Sequence, residues 1–192
     1  MIELPTGFSD PLIVGVGHHR TCYIHPQDAS KCIKVIHNPV KHAFNEVKRE
    51  VGYYRYLAKH LKDWRGIPRF YGAVETNLGR GFVYDRIIDF DGNPSQTMDM
   101  RYRADASQNL SDEEAHLIDE LEKYLLDNAI VTMTLKPYNI LCHRLSPTEV
   151  FPVICDNIGT AAFIPIEIFC PWFARRREKR LIEKIRSELF SR

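Results

Sequence analysis

The chain has 192 residues, of which 44% are hydrophobic and 27% charged, which suits one medium domain or two small lobes sharing a core and excludes a chain disordered throughout. Twenty-six Lys and Arg against 25 Asp and Glu leave a formal charge of +1, so no global field selects a polyanionic partner. The exception is local: from Ala174 onward, eight Lys or Arg stand against three Glu.

Residues 13–17 start an apolar strand that runs into two glycines, and residues 21–24 leave that turn as a partner, which predicts a first hairpin. After the turn-like His25-Pro26-Gln27-Asp28, residues 31–36 alternate charged and apolar at the strand period and stop before Asn38-Pro39, predicting a third strand. Val47, Val51, Tyr54, Leu57, Ala58 and Leu61 then recur at helical spacing, so an amphipathic helix is expected over 45–61. Residues 67–75 and 81–88, rich in aromatic and β-branched side chains and separated by Asn77-Leu78-Gly79-Arg80, predict two more strands. Residues 89–95 are acidic and turn-forming, and 96–109 show no clear period, so this stretch is expected to link two lobes. Ser111-Asp112-Glu113-Glu114 is a capping box that opens a helix running to about Asp127. Short apolar strands over 139–142 and 150–155 and a charged helix from about Ala174 complete the reading.

Five cysteines, none in a C-x-x-C pair, and an N-terminus without a charged-then-apolar secretory pattern lead us to expect a reducing, cytoplasmic home. The longest mostly apolar stretch, about 161–174, is interrupted by Pro165, Glu167 and Pro171 and is shorter than the ~20 residues of a bilayer span, so no transmembrane helix is expected.

Several residues are candidates for chemistry. Gly15-Val16-Gly17 after an apolar strand is either a phosphate-covering turn, where the missing Cβ lets backbone N–H groups approach an anion, or an ordinary hairpin. Lys34 shares a strand face with Cys32 and Ile36, opposite Ile33 and Val35. It is either a solvated strand residue or a cation held for a purpose. Glu46 and Glu50 lie one turn apart on the next helix, where either could reach back to neutralise it.

The segment Leu135-Lys136-Pro137-Tyr138-Asn139-Ile140-Leu141 resembles the catalytic loop of protein kinases, in which a lysine, a proline and an asparagine stand at this spacing before two apolar residues. Val153-Ile154-Cys155-Asp156-Asn157-Ile158-Gly159 looks like the apolar strand and metal-binding Asp-x-Gly segment that follow it in that family. The resemblance implies a nucleotide-binding role for Gly15, Gly17, Lys34 and Glu50. It also implies a hinge around Asp85 and Ile87 whose backbone meets adenine, Mg²⁺ ligation by Asn139 and Asp156, and catalytic positions at Thr134, Lys136 and Asn139. Over nearly its whole length the chain is most similar to the bacterial PhoP regulatory network protein YrbL family, a compact kinase-like family. Gly15, Lys34-Val35-Ile36, Glu50 with Tyr53-Tyr54, Pro68-Arg69-Phe70-Tyr71-Gly72 and Asp156-Asn157-Ile158-Gly159 carry that likeness.

Two departures bear on activity. The kinase His-Arg-Asp triplet is replaced by Thr132-Met133-Thr134, and a threonine cannot serve as an anionic general base near neutral pH, which costs roughly 10²–10⁴ in rate. Charge neutralisation by Lys34, Lys136, Asn139 and Asp156 would still be in place. Only 33 residues follow Gly159, too few for a full activation segment and a peptide-docking lobe. The bland alternatives make Thr132 and Thr134 strand residues and Asp156-Asn157 a turn.

Arg175-Arg176-Arg177-Glu178-Lys179-Arg180 leads into Leu181, Ile182, Ile185 and Leu189. This pattern suits a helix on an anionic membrane or nucleic acid. We favour instead an apolar stripe that closes the second lobe, with Glu178, Glu183 and Glu188 pairing internally. The expectation is therefore an α+β, two-lobed, reduced protein-kinase-like fold. Residues 1–90 form a nucleotide-binding lobe of antiparallel sheet and one helix, and 91–192 a mainly helical lobe with a degenerate catalytic loop. Mg²⁺-ATP would lie between them, with slow phosphate transfer to an unknown acceptor or, alternatively, an inactive pseudokinase serving a regulatory or interaction partner.

Overall fold

In the computed structural model, which describes residues 1–7, 10–104, 112–160 and 166–190, strands β1 (Ile13–Val16), β2 (Arg20–His25) and β3 (Asp28–Ile36) are followed by helix α1 (Lys41–His60) and strands β4 (Phe70–Thr76) and β5 (Gly79–Asp85). The strands form one antiparallel sheet in the order β1-β2-β3-β5-β4. Alternation along β3 decides its faces. Ile33 and Val35 are buried with Leu4, Tyr23 and Val83 on one side, while the Lys34 ammonium lies over the Tyr84 ring, 4.9 Å from its centre, on the other.

The β4–β5 connection is tighter than expected. Thr76 pairs with Gly79 across the two-residue loop Asn77-Leu78, and Gly79 takes φ +102°, a conformation open to glycine. The Asn77 side chain also exchanges two bonds with the Leu4 backbone, at 2.8 and 2.9 Å, and so ties the N-terminal segment beside the sheet.

Helix α1 begins four residues before the sequence reading placed it, because its inward stripe starts at buried Ala43 and continues through Val47, Tyr54 and Leu57. Strand β4 begins later than predicted, at Phe70. Ile67 is instead a buried residue of a separate turn, in which its N–H reaches the Trp64 carbonyl and the Gly66 carbonyl accepts from Ile154.

The chain divides into two compact units, Met1–Val51 with Pro68–Ile87, and Gly52–Ile67 with Ile88–Arg192. In the second, β6 (Gln96–Thr97), β7 (Ile140–Arg144) and β8 (Val150–Ile154) form an antiparallel sheet in that order. Its helices among the described residues are α2 (Met98–Ala104), α3 (Asp112–Asp127), the four-residue α4 (Ile166–Phe169) and α5 (Pro171–Phe190). Leu117, Ile118, Leu121 and Leu125 of α3 and Ala174, Ile182 and Ile185 of α5 are buried. Arg186 of α5 meets Asp119 and Glu122 of α3 at 2.6 and 2.9 Å.

The stretch read as a link is partly structured. It holds β6 and α2, in which the buried residues among the described side chains, Met98 and Tyr102, are two points one turn apart, too few to show a period. Ser111 of the expected capping box lies outside the described residues. The final helix starts at Pro171, a residue suited to a first helical turn because it has no N–H to leave unpaired.

Candidate functional site

The segment after α3 and the segment after β8 are held side by side. Helix α3 ends as Ile130 N–H returns to the Leu125 carbonyl, with Ala129 at φ +50°. The chain then runs extended: Thr132 bridges Ile158 antiparallel, Met133 N–H reaches the Asn157 carbonyl at 2.7 Å, and Gly159 N–H reaches Val131 at 2.8 Å. Asn157 at φ +63° and Gly159 at φ +121° make the turn that permits this pairing; these are the residue types that enter the left-handed region at least cost. The Asn157 amide donates to the Thr134 hydroxyl at 3.1 Å.

Pro137 opens a 3₁₀ turn over Pro137–Asn139. Asn139 N–H bonds the Lys136 carbonyl at 2.8 Å, and the Asn139 carbonyl accepts from Cys155 N–H at 2.9 Å and from its thiol at 3.4 Å. Because Ile140 of β7 pairs with Ile154 of β8, Asn139 and Asp156 leave neighbouring strands at the same end of the sheet. Both are partly exposed.

Helix α5 and the later part of α1 fix this frame. Thr132, fully buried, donates its N–H and hydroxyl to the two oxygens of Glu178 at 3.0 and 2.7 Å. Arg177 donates to the Thr132 and Met133 carbonyls, each at 3.1 Å. The Tyr53 hydroxyl accepts Val131 N–H at 2.9 Å, and burial pushes the Tyr53 phenol well above its ordinary value. Lys136 points to Glu188, 3.3 Å away.

Sequence reading treated Glu178 as one of a row of helix glutamates; the structure buries it completely. The available signal was its place on the inward stripe, four residues from both Ala174 and Ile182. Glu188 does pair within its helix, 3.8 Å from Lys184, besides meeting Lys136.

In the first unit, Glu50 is buried and forms an ion pair with Arg20 at 2.8 Å, and Glu46 lies 2.9 Å from His42. Arg20 is therefore a partner that the reading of Glu46 and Glu50 missed; it sits at the start of β2, directly after the glycine turn. Gly17 N–H closes that turn on the Arg20 carbonyl at 2.8 Å, and a Cβ there would stand 3.3 Å from that oxygen, whereas one at Gly15 would meet nothing within 4 Å. Asp85 accepts Arg69 N–H and the Tyr71 hydroxyl at 2.8 and 2.7 Å, the latter bond raising the Tyr71 pKa. Its own N–H is used by the Arg69 carbonyl. Ile87 is half-buried.

Among the described residues no three His, Cys, Asp or Glu side chains converge as a metal cluster. Mg²⁺ does not require one: it keeps water ligands and is commonly held by one or two carboxylates plus substrate phosphates, and the oxygen donors that leave this end of the sheet are the Asn139 amide and the Asp156 carboxylate. A cavity of about 490 Å³ in the second unit, lined by α3 and β8 residues such as Glu113, Tyr124 and Phe151, shares no residue with the paired segments.

These features define a mixed α+β protein with one five-stranded and one three-stranded antiparallel sheet among the described residues. The family model described as PhoP regulatory network protein YrbL matches residues 7–189, and the chain belongs to that family. Over 173 residues it is 48% identical to the Escherichia coli (strain K12) protein named "Uncharacterized protein YrbL", covering 88% of this chain and 80% of the relative. A Shigella flexneri protein of the same name matches to the same extent. No helix among the described residues is long and apolar enough to cross a membrane.

Proposed function

We propose that this chain is a reduced kinase-like protein that binds Mg²⁺-ATP and transfers phosphate slowly, acting within the PhoP regulatory network that its family description names. The observation that carries the reading is the backbone frame joining residues 131–139 to 155–159, which sets Asn139 and Asp156 at the ends of paired strands. Two oxygen ligands so placed suit a hard divalent cation. A bound Mg²⁺ would supply charge neutralisation at the phosphates.

The other assignments go to the chain's own groups. Lys34 contacts phosphate, Lys136 steadies the transferred group, and the turn at Gly15 and Gly17 covers the nucleotide. Glu50 supports the phosphate side through Arg20, its partner at 2.8 Å. Asp85 and Ile87 form the adenine side, where Ile87 is the residue that lends backbone. Thr134 occupies the position of the general base. Its hydroxyl already accepts from Asn157, a neutral contact that favours a second reading, nucleotide binding without turnover in a regulatory role.

Thermal unfolding with ATP and Mg²⁺ tests the proposal. A rise in melting temperature that needs both, and that Lys34→Ala and Asp156→Ala each abolish, supports it; a melting temperature indifferent to nucleotide in the wild type refutes it. Turnover in the wild type that Asn139→Ala removes selects the enzyme, and binding with no turnover selects the regulatory reading.

A further inference from the structure

The outward face where α4 meets α5 is unlike the rest of this helix. Cys170 separates the two helices, its N–H bonded to the Ile166 carbonyl and its own carbonyl accepting from Phe173 and Ala174 N–H. Along α5, at about 100° per residue, Trp172, Phe173, Arg176 and Arg180 fall on one side, opposite buried Ala174, Glu178, Ile182 and Ile185, and Ile166 and Phe169 of α4 just before it are exposed as well. Phe169 is 73% exposed, Trp172 57%, Ile166 49% and Phe173 46%. The core-closing stripe foreseen for the tail is therefore satisfied on the inner face, and a second apolar patch stands in solvent on the outer one.

Cations frame that patch. The Arg176 guanidinium lies over the Trp172 ring, 5.4 Å from its centre, and Lys179 and Arg180, both exposed, follow within one turn. Arg175 is engaged elsewhere, donating to the Leu126 carbonyl at 2.9 Å. We propose that this face docks on an anionic membrane surface, with Phe169, Trp172 and Phe173 entering the headgroup region and Arg176, Lys179 and Arg180 meeting lipid phosphates.

Charge complementarity and side-chain type both select that occupant. Aromatic rings beside Lys and Arg are the composition of interfacial helices, whose binding adds apolar burial to attraction by anionic lipid. A second copy of the same face would bring like charges together. Duplex nucleic acid would take the cations through its phosphates but would leave Phe169, Trp172 and Phe173 against water, whereas a headgroup region buries them.

The test is flotation of the full chain with vesicles of phosphatidylglycerol and phosphatidylcholine, compared with phosphatidylcholine alone, at low and at 0.5 M salt (about a 4 Å screening length). Emission of Trp172 is followed in a Trp64→Phe background, since these are the two tryptophans. The expected result is binding to anionic vesicles with a blue shift of Trp172, weakened about tenfold or more by Phe169→Ser with Phe173→Ser and about fivefold for each charge removed by Arg176→Gln and Arg180→Gln. All four sites are exposed, so circular dichroism and melting temperature should match the wild type. Absence of binding at low salt overturns the proposal. So does binding that the aromatic changes leave untouched, and so does tighter binding to duplex DNA that those changes leave intact.

Discussion

Replacing Glu178 probes how α5 holds the segment that carries Thr134 and Asn139. Glu178→Leu keeps a side chain of similar length but removes both acceptors, orphaning the N–H and hydroxyl of Thr132 in a site with no solvent access. An orphaned buried donor costs roughly 1–3 kcal/mol, so the pair should cost about 3–5 kcal/mol once the leucine's own burial is allowed for. That is a large share of a domain stability of roughly 5–15 kcal/mol. Glu178→Gln should cost only about 1–2 kcal/mol, because its carbonyl can still take the N–H and its amide can donate to the threonine oxygen. Both tryptophans, Trp64 and Trp172, lie in the second unit, so urea unfolding followed by their emission reports on it. Adding Thr132→Val to Glu178→Leu should give a double mutant less destabilised than the sum of the singles, since valine has no hydroxyl to orphan. Equal effects of Leu and Gln, or strict additivity with Thr132→Val, would refute the clamp.

Tyr53→Phe should destabilise by about 1–3 kcal/mol by orphaning Val131 N–H. Because burial raises the Tyr53 pKa, its contribution is complete below the unfolded value of 10.0 and is lost as pH rises toward the folded value, so the variant should show a shallower alkaline fall in melting temperature; an unchanged slope contradicts this. A Cβ on Gly66 would collide with the Tyr124 ring, whose hydroxyl is tied to the Asp63 carbonyl. Gly66→Ala should therefore cost about 3 kcal/mol in urea unfolding, relieved in part by Tyr124→Leu, and a neutral result would disprove the close packing. Arg20→Ala leaves the buried Glu50 carboxylate without that cation and should lower stability by about 3–5 kcal/mol; a loss below about 1 kcal/mol would show that the pair is not structural.

The periodic signals carried the sheet and the long helices. The 3–4 spacing from Val47 to Leu57 gave α1, and the alternation around Lys34 gave β3 with its two faces, because each pattern repeats often enough to stand above chance. Helix α2 was missed since, among its described side chains, Met98 and Tyr102 alone mark its inner face. At the candidate site the local segments 131–139 and 155–159 were legible, while their clamps were not. Thr132 and Glu178 are 46 residues apart, and Arg20 and Glu50 are 30 apart, so each pairing is a product of tertiary packing. A buried glutamate has the same letter as a solvated one, and only its position on an apolar stripe distinguishes it.

Nucleotide binding is tested most directly by calorimetric titration of the full chain with a non-hydrolysable ATP analogue, with Mg²⁺ present and then with chelator. Saturable binding that requires Mg²⁺ and disappears in both Lys34→Ala and Asp156→Ala is the predicted result. An absence of binding by the wild type, or binding that both variants retain undiminished, would contradict it.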